Sequence, residues 1–205
     1  MTWDVFNIIG TIAFAISGAI VAMEEDYDLF GVYMLGIVTA FGGGAIRNLL
    51  LGVPVSALWD QGLLFNIAIV AMTIVFLFPH NMLKHWRKWG HFTDAIGLSA
   101  FSIQGALYAV HMNHPISAAV VAAVLTGTGG GIIRDLLAQR KPLVLREEIY
   151  AVWAILAGLM IGFKIADTPE ELYALFAIIV ILRVLSYSFK WRLPSKSFRS
   201  KNETF

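Results

Sequence analysis

Two stretches of the chain place three consecutive glycines three residues ahead of an arginine with a polar neighbour: Gly42-Gly43-Gly44-Ala45-Ile46-Arg47-Asn48 and Gly129-Gly130-Gly131-Ile132-Ile133-Arg134-Asp135. Both runs sit inside apolar segments, where each glycine costs a helix about 1 kcal/mol relative to alanine. The expectation is a kink or break at Gly42–Gly44 and at Gly129–Gly131. Carbonyls freed there would have to face protein or a wet cavity. Such carbonyls ligate cations, whereas the N-terminus of a following half-helix favours anions. Close helix packing is the other use of small residues in a membrane.

The polar groups beyond the glycines sharpen the choice. An arginine or aspartate at membrane depth costs about 2.5–3.5 kcal/mol on insertion scales, so such residues need a reason to be there. Arg47, Asn48, Arg134 and Asp135 read either as a pore-lining or gating set, or, for the arginines, as anchors snorkelling to opposite membrane faces. Arg183, in the last apolar segment, carries the same two readings. Thr39, Thr126 and Thr128 flank the glycines, and Ser17 and Gln104 are the remaining polar candidates. Membrane helices also use hydroxyl and amide groups simply to bond their neighbours.

No catalytic residue is expected, because the chain has no His-Glu-x-x-His helix, no Gly-x-Ser-x-Gly elbow and no phosphate loop ending in Gly-Lys. No metal ligand is expected either. His80, His85, His91, His111 and His114 show no ligand spacing, and cysteine is absent, which removes thiolate sites and disulfides. The basic residues form no patch of the kind that binds nucleic acid.

The elements that must position these groups are apolar helices. Hydrophobic residues make up 58% of the chain and charged ones only 14%, against about 25% charged in soluble domains, and the mean hydropathy is +0.73. Apolar runs cover Val5 to Met23, Leu29 to Leu51, Gly62 to Pro79, Phe92 to His111, Ile116 to Leu137, Ile149 to Ile165 and Leu172 to Phe189, which predicts seven transmembrane helices. Under the positive-inside rule an external N-terminus puts Lys84, Arg87, Lys88, Arg140, Lys141, Arg146 and the five basic residues from Lys190 to Lys201 inside, and only Lys164 outside. The expected topology is multi-pass, with the N-terminus out and the C-terminus cytoplasmic. The acidic turn from Glu24 to Asp28 then lies inside, where it would concentrate cations or remain a solvated loop. Trp86, Trp89, Trp153 and Trp191 fall near helix ends, where aromatic belts form.

An offset of 87 residues superposes the first half on the second. Gly10, Ala13, Phe14, Gly18 and Ala19 fall on Gly97, Ala100, Phe101, Gly105 and Ala106; Thr39, the three glycines, Ile46 and Arg47 fall on Thr126, the second triad, Ile133 and Arg134. Three spans per unit is an odd number, so the second unit enters the membrane in the opposite sense. The resulting all-α membrane fold has two inverted three-helix repeats, residues 3–79 and 90–166, with kinked second and fifth helices. A seventh helix over 170–190 completes a single membrane domain of residues 1–190, and residues 191–205 form a basic cytoplasmic tail. Inverted repeats are an architecture of channels and transporters.

The paired motifs at Gly42–Asn48 and Gly129–Asp135 resemble those of bacterial members of the trimeric intracellular cation (TRIC) channel family, a resemblance covering about residues 3–190. It implies a homotrimer in the bacterial inner (plasma) membrane, each protomer conducting potassium, and also sodium, between its second and fifth helices. No cofactor is implied beyond the permeant ion and bound membrane lipid. The animal channels carry a Lys-Glu-Val motif used with a phosphoinositide, and this tripeptide is absent here. Bacterial members of the same broad group are also assigned as glycine transporters, so a secondary transporter of a small solute such as glycine is the alternative.

Overall fold

The computed structural model describes residues 2–78, 86–146, 149–191 and 193–194. Among them every regular element is helical: α1 (Thr2–Glu24), α2 (Leu29–Leu50), a 3-10 turn (Val55–Gln61), α3 (Gly62–Leu77), α4 (Trp86–His111), α5 (Ile116–Leu137), the single-turn α6 (Leu143–Arg146), α7 (Ala151–Gly162) and α8 (Pro169–Ser188). Lys84, His80, His85, Arg192 and the tail beyond Pro194 lie outside the described residues, as do the side chains of Trp86, Arg87, Lys88, Trp89 and Arg146.

Local chemistry sets the boundaries. Asp28 caps α2 by accepting from the Gly31 amide at 2.8 Å, and Thr168 with Glu171 forms a reciprocal capping box ahead of Pro169 at the start of α8. Asp26, Asn113, Gln139, Lys164 and Lys190 take left-handed backbone angles just past the ends of α1, α4, α5, α7 and α8, the conformation that lets the next amides reach orphan helix carbonyls.

Among the described residues five stretches are long and apolar enough to cross a bilayer: Thr2–Glu24, Leu29–Leu50, Ser56–Leu77, Ile116–Leu137 and Pro169–Ser188. The other two predicted spans differ from expectation. α4 begins at Trp86 rather than Phe92 and carries Asp94, Ser99, Ser102 and Gln104, all buried; Asp94, Ser99 and Gln104 find hydrogen-bond partners within the protein, so the helix need not be apolar throughout. α7 has 12 residues, about 18 Å at 1.5 Å per residue.

α4 is central and packs against α1, α5, α7 and α8, while α1 packs against α2, α3 and α4. Phe14 of α1 meets Phe101 of α4 edge to face, with ring centroids 5.2 Å apart. A Cβ on Gly10 would press on Phe101, and one on Gly97 would press on Phe14. These four residues are two pairs related by the 87-residue offset. Leu63, Ile69, Val70, Ile74 and Leu77 of α3 and Ile178, Ile181 and Leu185 of α8 remain exposed, as side chains turned toward lipid tails are.

Candidate functional site

α2 and α5 cross antiparallel at the glycine triads. A Cβ on Gly43 would collide with the Thr126 carbonyl oxygen, and one on Gly130 with the Thr39 carbonyl oxygen. Around them Gly42 faces Ile133 and Gly129 faces Ile46, again pairs related by the same offset. The expected helix breaks are absent: α2 runs as α-helix from Leu29 to Leu50 and α5 from Ile116 to Leu137, through both triads. The glycines remove side chains so that two backbones can touch, and the contact compensates their low helix propensity.

Each arginine lies one helical turn past the crossing on its own helix, and because the helices are antiparallel the two lie on opposite sides of it. Neither is an interfacial anchor. Arg47 and Arg134 are each only 3% exposed, which removes the snorkelling alternative.

Arg134 is enclosed by charge. It donates to Asp94 Oδ1 at 3.0 Å, to Asp135 Oδ1 at 2.8 Å and to Ser17 Oγ at 2.6 Å. Asp94 accepts at its other oxygen from the Tyr150 hydroxyl at 2.7 Å, and Asp135 from the Leu143 amide at 3.0 Å, which ties α6 to α5. Arg183 lies over the Tyr150 ring, 4.3 Å from its centroid, and is buried at 2% exposure, so it joins this cluster instead of anchoring at an interface. Arg134 thus sits in a buried network with two carboxylates, which limits the desolvation cost that an unpaired ion would carry, and Arg183 meets that network through the face of Tyr150.

Arg47 has only neutral company. It donates to Gln104 Oε1 at 2.6 Å and to Asn48 Oδ1 at 2.8 and 3.1 Å, and its guanidinium carbon stands 4.3 Å from the Tyr108 ring centroid. No salt bridge to Arg47 forms among the described residues. Beside it lies a half-open recess of 20 Å³ bordered by Asn7, Thr11, Gly44, Gln61, Gln104 and Thr126 together with apolar side chains.

The threonine hydroxyls of the candidate set turn back on their own helices: Thr39 to the Leu35 carbonyl at 2.6 Å, Thr126 to Ala122 at 2.6 Å and Thr128 to Val124 at 2.7 Å. Of these three, Thr126 reaches the recess. Trp153, expected at an interface, donates to Ser186 Oγ at 3.0 Å between helices. The acidic turn is also not a bare cation collector, since Arg140 pairs with Glu24 at 2.7 Å and with Glu25 at 2.6 Å. Burial depresses the Arg140 pKa and its two carboxylate partners raise it, with a net upward shift.

Asp94, Tyr108 and Tyr150 were not foreseen. Asp94 falls on Asn7 under the 87-residue offset, and Tyr108 stands one turn after Gln104 on the same helix face, so both had a signal. Tyr150, at the N-cap of α7, meets Asp94 from 56 positions further along the chain and had none.

The fold and its paired, buried arginine clusters define a polytopic α-helical membrane protein. A family model described as "Glycine transporter" matches residues 4–80 and 91–166. The chain is 67% identical over 202 residues to the UPF0126 membrane protein YvgT of Bacillus subtilis, covering 98% of this chain and 100% of that one. It is 36% identical over 196 residues to the UPF0126 inner membrane protein YadS of Escherichia coli K12, covering 94% of each. A structure solved in work on the structural basis for conductance through TRIC cation channels superposes with a TM-score of 0.82 at 37% identity, covering 98% of this chain and 100% of that chain. The chain belongs to this family, as a bacterial member of the TRIC channel family.

Proposed function

We propose that the protein is a monovalent cation channel, passing potassium and also sodium, with one path in each protomer alongside the α2–α5 crossing. The observation that carries this reading is the full-length likeness to a TRIC cation channel at 37% identity and a TM-score of 0.82.

The same reading takes the protein as a homotrimer of seven-span protomers in the bacterial inner membrane, with the N-terminus outside and a membrane domain of residues 1–190. α1, α2 and the Ser56–Leu77 stretch make the first repeat, α4, α5 and α7 the inverted second, and α8 the seventh span. The reciprocal contacts of Gly10 with Phe101 and Gly97 with Phe14, and of Gly43 with Thr126 and Gly130 with Thr39, support an antiparallel relation between the repeats. The separate family-model matches at 4–80 and 91–166 support the same division. Arg47, Asn48 and Gln104 border the outer half of the path; Ser17, Arg134, Asp135 and Arg183 border its inner half.

Planar-bilayer recording of the purified protein in a potassium gradient tests this reading, with glycine uptake into liposomes measured in parallel. Unitary currents reversing near the potassium potential are expected. Silent bilayers together with saturable glycine uptake would replace the channel with a carrier.

A further inference from the structure

We propose that the recess beside Arg47 is a binding site for one small monovalent anion, of halide or formate size. The two arginines are related by the 87-residue offset, and so are their surroundings. Arg134 donates to Ser17 where Arg47 donates to Gln104, and residues 17 and 104 are themselves 87 apart. The scaffold is therefore the same on both sides of the crossing.

The charge is not. Asp135 corresponds to Asn48 and Asp94 corresponds to Asn7. Both positions that put a carboxylate on Arg134 carry a neutral amide around Arg47. Asn48 still contacts its arginine, and Asn7 borders the recess that Arg47 lines. The Arg47 guanidinium is held by amide oxygens and the face of Tyr108 with no carboxylate beside it among the described residues, and a buried ion without a counter-charge is strongly disfavoured. On the Arg134 side the protein supplies that counter-charge; on the Arg47 side it leaves a space.

The space suits an anion in chemistry and in size. Among the described residues none lining it is acidic, and Asn7, Gln61, Gln104, Thr11 and Thr126 bring amide and hydroxyl groups to its wall. Its 20 Å³ admits about one ion of this class. Occupied, the recess presents no net positive charge to a passing cation.

The test uses the purified full-length protein in potassium chloride, bromide, formate or gluconate at equal ionic strength, gluconate being too large to enter. The thermal midpoint should rise saturably by a few degrees with a small anion and stay flat in gluconate. Saturation by halide alone or by formate alone identifies the source. Crystals grown in bromide should show an anomalous peak at the Arg47 guanidinium. Arg47→Gln should lose the response. Asn48→Asp, which installs the carboxylate that Arg134 already has, should be more stable than wild type in gluconate and insensitive to halide, and it decides the matter if Arg47→Gln fails to fold. Equal wild-type midpoints in all four salts, a bromide peak absent from Arg47, or an Asn48→Asp response equal to wild type would each overturn the site. These readouts need no ion flux, so silent bilayers would count against the channel without touching this site.

Discussion

Ser17 accepts a hydrogen bond of 2.6 Å from Arg134, a residue 117 positions later in the chain, and so pins the middle of the first helix to the end of the fifth. That bond belongs to a network in which Asp94 is shared between Arg134 and Tyr150. Replacing Asp94 with asparagine removes one of two carboxylates from a buried guanidinium and should destabilise the protein by about 1–3 kcal/mol. A double-mutant cycle of Asp94→Asn with Tyr150→Phe, read by thermal unfolding in detergent, should show coupling of about 0.5 kcal/mol or more. Strict additivity would mean that Tyr150 does not bond Asp94.

The glycines of one triad should not be equivalent. A side chain on Gly43 meets the Thr126 backbone, whereas the nearest atom to a Cβ on Gly44 is Arg47 Nη2 at 3.8 Å. Gly43→Val should cost about 3 kcal/mol through overpacking. Gly44→Ala should be neutral or gain up to about 1 kcal/mol of helix propensity. Equal losses at both positions would argue against a contact-driven crossing.

Conductance should respond to the sign of charge near the crossing. In gluconate, where no small anion offsets Arg47, Arg47→Gln removes a buried positive charge that repels permeant cations, and single-channel potassium conductance should increase several-fold. In the wild type, exchanging chloride for gluconate should lower that conductance, and in Arg47→Gln it should not. A conductance unchanged by the substitution would place the path away from Arg47.

Arg140 ties the acidic turn between α1 and α2 to the segment after α5 from a third-exposed position, its side chain being 33% accessible. Ion pairs of this kind contribute little, so Arg140→Ala should lower stability by no more than about 1 kcal/mol, and high salt should erase the difference. A larger, salt-independent loss would point to packing by the arginine stem.

The residue pattern by itself determined the class of fold. Apolar runs bounded by charged turns place α1, α2, α3, α5 and α8 within a few residues, because lipid requires long uninterrupted apolar helices and tolerates little else. The 87-residue offset likewise marked Arg47 with Arg134 and Ser17 with Gln104 as corresponding positions, since duplicated sequence keeps its register whatever the packing. Tertiary structure alone decided what those residues do. Glycine runs are compatible with a broken helix and with a close crossing, and only the antiparallel contact of Gly43 and Gly130 with the Thr126 and Thr39 backbones selects the crossing. Arginines near helix ends are compatible with anchoring in lipid headgroups, and only their burial among Asp94, Asp135 and Gln104 turns them inward. Helical periodicity records which residue types can coexist on a segment; the counter-charge that meets each arginine comes from another segment, and its position depends on how the helices pack.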